Sequence, residues 1–427
     1  MGETTLKKIA DGVTLCTVRT DRFKTCRISV LMALPLAGDI AAAAVLPYIL
    51  RRSCRKYPDF TSLNGRLDML YGAVLSAAVT KKGEAQILRL SVNAIDDRFA
   101  LGTESTAQEA AKLLLDLLFD PKLENGTFPA DDVETEKRLL LERMRSEDDD
   151  KRRYAMRRCE EEMFSQEAFG RNRYGTEEEI VSLTPERVYA AWRRVLRTAV
   201  IRVMLVTSGS DETIRDILTE QFSGTARQPI VPETQFLPVP TGDVRHAREA
   251  QPLQQGTLVL GFRCGMRQRD DMDPAMLVMN DMFGGGTSSK LFTVVREKMS
   301  LTYYCHSVFN RDKGVMFVFG GIKTENEQKT KDAILEQLSQ MQQGAFTKED
   351  FDASVRSLAD SIRGYTDSPE VLCFWYGGQL LQDKLLTIAD RIAQIESVRF
   401  EDIQKAAQQV RLDTIFMLEG TGADHHA

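Results

Sequence analysis

The residues that could do chemistry are few and scattered. A glycine-rich run, Phe283-Gly-Gly-Gly-Thr-Ser-Ser-Lys-Leu-Phe292, ends in a lysine and opens a helix, the outline of a phosphate-cradling loop. A P-loop, however, needs G-x-x-x-x-G-K-[ST] after a strand. Here Ser289 precedes Lys290, Leu291 follows it, and residues 274–283 read as helix. Gly284, Gly285 and Gly286 instead suit a helix-to-helix turn that lets backbone approach a neighbour closely. Ser288 or Ser289 with Lys290 could form a nucleophile pair on paper, but adjacent side chains at a helix start diverge.

Histidine is scarce, with four in the chain: His246, His306, His425 and His426. His306 sits in a strand-like run, Tyr303-Tyr-Cys-His-Ser-Val, with no second histidine or acidic cluster near it, and reads as structural or exposed. His246 falls in a proline-rich stretch and takes no role, and the only adjacent pair closes a Gly-Ala-Asp tail. Arg296 and Tyr303 are a better constellation, because an always-charged fork donor and a phenol meet where a helix joins a strand.

The elements that must position these residues come in two copies. Phe128-Pro-Ala-Asp-Asp-Val-Glu-Thr-Glu-Lys aligns with Phe346-Thr-Lys-Glu-Asp-Phe-Asp-Ala-Ser-Val, and each opens a helix with acidic residues in its first turn. Upstream, residues 63–70 predict a helix and residues 73–79 and 86–92 a hairpin; their counterparts are residues 291–298, 301–308 and 315–320. Downstream, helices beginning at Thr184 and Phe400 lead into strands at residues 200–207 and 414–418. The fold class is α+β: two homologous halves, each an antiparallel-rich sheet packed with helices, arranged as a clam with a central cleft. The boundaries fall at residues 1–227 and 253–427, joined by an extended linker, 228–252, that holds Pro229, Pro232, Pro238, Pro240 and Pro252. The charge-dense residues 145–162 predict a solvated helix laced with i,i+4 pairs.

Composition narrows the partners. Fifty-six Lys and Arg against 62 Asp and Glu leave a net charge of −6, which gives no global attraction to nucleic acid. The most apolar stretch, residues 40–50, is interrupted by Pro47 and falls short of the roughly 20 residues a membrane span needs, so no membrane partnership is expected. No export or lipid signal is read in residues 1–10. Seven cysteines without a C-x-x-C pair fit free thiols in the cytoplasm.

With these residues in view, the sequence resembles the pitrilysin or insulinase family of zinc peptidases, which includes the two-subunit mitochondrial processing peptidases. The likeness covers nearly the whole chain: a duplicated half, the glycine-rich segment, and an Arg-x-x-x-x-x-x-Tyr element matched by Arg296 to Tyr303. In active members that Arg and Tyr hold substrate backbone and assist the transition state. Their zinc motif, H-x-x-E-H, lies on a helix shortly before a Lys-Tyr-Pro element, here Lys56-Tyr57-Pro58. Counting back places it on Ala44-Val45-Leu46-Pro47-Tyr48: Ala44 and Tyr48 stand at the histidine positions and Pro47 at the position of the glutamate that activates water. The third ligand position matches Glu136. No shift of register supplies the ligands, because the first 245 residues contain no histidine.

The resemblance therefore implies a catalytically inactive peptidase-like subunit, similar to the inactive partner of bacterial two-subunit processing-peptidase-like proteins. No metal or other cofactor is expected in this chain, since catalytic zinc needs three protein ligands and the missing general base alone costs about 10²- to 10⁴-fold. Zinc is expected only in a catalytic homologous subunit, paired with this chain as a heterodimer, with a homodimer as the other possibility. Gly284, Gly285, Gly286, Arg296 and Tyr303 are the expected peptide-binding residues. Two alternatives stand beside this reading: a rearranged metallopeptidase site around Glu136, Glu142 or His306, and a scaffold role in a larger complex.

Overall fold

Residues Thr25–Pro35 alternate Arg27, Ser29 and Leu31 with Ile28, Val30 and Met32, a period of two that puts one set on each face of a strand. That strand, β3, lies inside a six-stranded sheet. In the computed structural model, which describes residues 3–102, 104–382 and 384–422, the other strands of this sheet are β1 (Glu3–Ala10), β2 (Val13–Arg19), β4 (Val74–Lys82), β5 (Ala85–Ile95) and β6 (Val200–Thr207). A second sheet has five strands: β7 (Arg245–Gln251), β8 (Gly256–Arg263), β9 (Thr302–Asn310), β10 (Val315–Ile322) and β11 (Arg411–Gly420).

The helices are α1 (Ile40–Leu50), α2 (Phe60–Met69), α3 (Thr106–Phe119), α4 (Ala130–Asp149), α5 (Lys151–Met163), α6 (Glu177–Val181), α7 (Pro185–Thr198) and α8 (Glu212–Ser223) in the first half of the chain. The second half adds α9 (Asp273–Asn280), α10 (Glu327–Gln342), α11 (Lys348–Arg363), α12 (Pro369–Gly377), α13 (Ile388–Glu396) and α14 (Phe400–Ala407).

The duplication read from the sequence is visible in the strand order. The first sheet runs β1-β2-β6-β3-β5-β4 and the second β7-β11-β8-β10-β9. Removing β1 makes them the same order, and the senses agree too: β2 and β6 pair in parallel, as do β7 and β11, and the remaining pairs are antiparallel. Both predicted hairpins form, turning through Gly83 and Gly314, whose φ of +53° and +70° lie in the left-handed region that glycine enters freely. Strand β7 lies within the proline-rich stretch, whose residues Thr241, Gly242 and Asp243 are exposed.

The chain divides into two compact units. One comprises Met1–Met144, Arg171–Glu233 and Gly364–Thr387; the other comprises Arg145–Gly170, Thr234–Arg363 and Ile388–Ala427. Each half therefore lends a segment to the other's unit, and the two lent segments carry α5 and α12, elements at the same place in the repeat. In the first unit, Ile28, Val30, Met32, Leu88, Leu90 and Val203 face a core completed by α1, α3 and α7. The opposite face carries Ser29, Leu31, Arg89 and Met204 and is covered by α12. A side chain added at Gly377 of α12 would come within 3.0 Å of Leu31.

In the second unit, Ala155, Cys159 and Met163 of α5, four residues apart, pack on Val259, Phe317, Phe416 and Leu418. This corrects the reading of residues 145–162 as a solvated helix. The helix breaks at Asp150, whose carboxylate caps α5 by accepting from the backbone N–H groups of Arg152 and Arg153, and one face of α5 is core. The segment after α5 is anchored by Glu167, which pairs with Arg263 at 2.7 Å and Lys313 at 2.6 Å, while Arg263 also reaches Asp413 at 2.8 Å. All four side chains are buried, and the two positive and two negative charges balance.

Candidate functional site

The degenerate motif lies on α1, whose every residue is buried. Asp39 caps it by accepting from the N–H of Ala42, and Pro47 within it has no N–H to offer the preceding turn. Glu136 lies on the buried stripe of α4 with Val133 and Leu140. These are the residues the sequence brings forward, and they do not fit a metal. Ala44 has no donor atom. The Tyr48 ring is covered by the Arg143 guanidinium, 4.1 Å from its centroid, with Arg51 at 5.9 Å. The Glu136 carboxylate accepts from Arg52 at 3.0 Å, and Arg52 also donates to Asp132 at 2.7 Å. Burial works against the Arg52 charge, but the hydrogen bonds it donates to Glu136 and Asp132 outweigh that and hold the guanidinium above its usual range. Among the described residues, no three His, Cys, Asp or Glu side chains gather as a metal would require. Glu142, named in the rearranged-site reading, lies on the exposed side of α4 and pairs with Arg138 at 2.7 Å.

The second cluster belongs to the other unit. Helix α9 widens into a π-helical turn over Asp281–Gly285, and a second π-helical segment runs over Leu291–Lys298, where the sequence predicts an ordinary helix. Gly284 packs against β9 so closely that a Cβ there would meet the Ser307 hydroxyl at 2.6 Å and its backbone nitrogen at 2.8 Å. Ser307 also donates to the carbonyl of Asn280 at 3.2 Å. The turn is thus fastened to the strand, and its glycine serves close approach. Ser289 and Lys290 diverge as expected: the Ser289 hydroxyl accepts from the N–H of Phe292 at 3.4 Å, and Lys290 reaches Gln340 at 3.5 Å.

Arg296 and Tyr303 do come together, through the backbone. Arg296 Nε donates to the Tyr303 carbonyl at 3.2 Å and its guanidinium stacks on Phe292, 4.4 Å from the ring centroid. The Tyr303 side chain stays half exposed on β9, an edge strand of its sheet. Three further residues join the cluster that sequence reasoning missed or set aside. Arg152 of α5 lies 5.9 Å from the Tyr304 ring. His306, half-buried beside Phe319, hydrogen-bonds to the Gly284 backbone. Its pKa is held below the usual value by burial first, then by the charges of Arg152 and Arg296. The one available signal was the adjacency of Tyr304 and His306 to Tyr303; nothing in the pattern marks Arg152, one charge among many.

The arrangement of an edge strand, two guanidinium groups, exposed phenol and a fastened glycine turn can bind extended backbone and carboxylates. It holds no activated nucleophile.

Residues 182–358 match the family model described as the Peptidase M16 inactive domain. A Bacillus subtilis protein named "Probable inactive metalloprotease YmfF" is 29% identical over 97% of this chain and 98% of its own. The chain resembles M16-family peptidase-like proteins of the inactive type. The resemblance to zinc peptidases drawn from the sequence is thereby borne out. This M16 homologue also resembles the "Uncharacterized zinc protease YmxG" of B. subtilis, at 21% identity over 90% of this chain and 94% of the relative. Among solved structures, a conserved protein of Enterococcus faecalis superposes with a TM-score of 0.89 at 26% identity, covering 99% of this chain and 100% of that one. A peptidase M16 inactive domain of Pseudomonas fluorescens superposes at 0.80 with 17% identity, covering 99% and 100%, and shares the fold.

Proposed function

We propose that this M16 homologue is a non-catalytic, peptide-binding subunit that pairs in the cytoplasm with a homologue carrying H-x-x-E-H and the zinc. One contrast carries the reading: Glu136 is held by Arg52, whereas Gly284, Arg296 and Tyr303 stay assembled on an edge strand with the phenol exposed. Machinery for hydrolysis is gone and machinery for holding a peptide is kept. An extended substrate would add to β9 by main-chain hydrogen bonds, with Arg296 and Arg152 beside its carboxylates and carbonyls. Free, buried cysteines and the absence, among the described residues, of any helix long and apolar enough to cross a membrane are compatible with that setting.

Co-purification from the native cell tests the pairing. The expected result is recovery with a zinc-bearing homologue, one zinc per pair, and chelator-sensitive peptide hydrolysis by the pair alone. In that complex Arg296→Ala should weaken peptide binding about tenfold, the loss of one charge-assisted contact of ~1.4 kcal/mol. One zinc per chain and proteolysis by this chain in isolation would overturn the reading.

A further inference from the structure

The Glu136 carboxylate is 2% exposed, and burying such a group is costly unless a cation or hydrogen-bond donors stand beside it. We propose that the guanidinium of Arg52 is the resident cation of the degenerate zinc position: held by Glu136 and Asp132, with Arg143 stacked on Tyr48, it takes the electrostatic place of a metal and closes the site against one. The inference concerns this chain alone and is independent of whether it has a catalytic partner.

Three observations carry it. Arg52 divides its fork between two carboxylates, Nη1 on Glu136 at 3.0 Å and Nε on Asp132 at 2.7 Å, so the one surviving ligand position is already engaged. Arg143, on the same helix as both carboxylates, lies over the ring at the former second histidine position, 4.1 Å from its centroid. With two carboxylates against Arg52 and Arg143 the cluster balances its charge, and Arg51, 5.9 Å from the same ring, adds a further positive group. A divalent ion entering here would meet like charges at distances where they strongly disfavour one another.

The arrangement also ties the end of α1 to α4. Contacts run from residue 48 to 143 and from residue 52 to 136 and 132, so the two segments pass each other in opposite directions. The guanidinium is better suited to this than a lysine, because its planar fork reaches both carboxylates at once. Loss of the histidines is thus only half of what separates this site from a zinc centre; the other half is a built-in cation.

The test restores the motif in the full chain with Ala44→His, Pro47→Glu and Tyr48→His together, and compares this variant with one that also carries Arg52→Ala. Zinc alone is added, and bound metal per chain is measured after gel filtration, with cobalt(II) absorption as a second readout. The restored motif by itself should retain well under one zinc per chain, and Arg52→Ala should raise the affinity about tenfold or more. Equal affinity in the two variants would overturn the proposal. A thermal-unfolding cycle in the natural background guards against misfolding of the multiple variants. Arg52→Met should lower Tm, and adding Glu136→Gln should recover part of that loss, because the uncompensated carboxylate is then gone. An unchanged Tm in Arg52→Met, or no recovery with Glu136→Gln, would overturn it equally.

Discussion

Arg202, on β6, donates to the carbonyl of Tyr376 at 3.3 Å, across 174 residues of sequence. It thereby caps the C-terminal end of α12 with a positive charge, where the helix dipole is negative. The second unit repeats the device: Arg245, on β7, donates to the carbonyls of Glu162 and Met163 at the end of α5. Other charges hold the exchanged helices along their lengths, Arg27 with Glu370 at 3.3 Å on α12 and Arg158 with Glu249 at 2.6 Å on α5. The two helices occupy the same place in the repeat and each is fixed to the sheet of the other half, so the exchange is reciprocal.

A cut in the connecting stretch should therefore leave the molecule in one piece. A protease site inserted at the exposed Thr241-Gly242-Asp243, once cleaved, leaves α5 on the amino-terminal fragment and α12 on the carboxy-terminal one, each buried in the other's unit. The nicked protein is expected to elute as a single species under native conditions and to separate only in denaturant. Native dissociation of the fragments would show that the exchanged helices do not hold.

Within the glycine turn, the positions are not interchangeable. At Gly284 a Cβ meets both side chain and backbone of Ser307 below 3.0 Å, and the backbone cannot yield cheaply. At Gly286 the nearest atom is the Asp281 carboxylate, at 3.8 Å, an ordinary contact. Gly284→Ala should cost about 1–3 kcal/mol as overpacking, and Gly286→Ala should stay within about 0.5 kcal/mol. Denaturant titration of the two variants gives the comparison, and equal losses would contradict close approach as the reason for Gly284.

The sequence made the duplication legible because paired helix starts, hairpin turns and strands at residues 200–207 are local patterns that packing then kept. The absence of a zinc motif was legible too, since it depends on composition. The exchange of α5 and α12 was not. On α5 the buried positions Ala155, Cys159 and Met163 are small or unbranched and sit among charges, so the apolar stripe is thin. Nor could spacing reveal Arg52 on Glu136 or Arg152 near Tyr304, because each pair joins different elements and exists only once tertiary packing has formed. The π-helical turns escaped for another reason: they differ from α-helix by one residue in hydrogen-bond offset, which side-chain periodicity over five to eight residues does not resolve.

The ring of His306 gives a pH signature that other titrating groups can be made to subtract from. Burial, with Arg152 and Arg296 behind it, holds its pKa in the folded protein below the 6.5 it regains on unfolding. Between those two values the unfolded chain carries the extra proton, so stability rises with pH across that window. The contribution is complete above 6.5 and is eroded as pH falls toward the folded value. His306→Gln keeps a donor for the Gly284 backbone and removes the titration. From about pH 7.5 down to about pH 5, the natural protein is expected to lose more Tm than this variant, and the difference between the two curves cancels carboxylates common to both. Scanning calorimetry at a series of pH values checks it. Parallel curves would mean that His306 accepts a proton in the folded state as readily as in the unfolded one, and that Arg152 and Arg296 exert no effective field on the edge of β9.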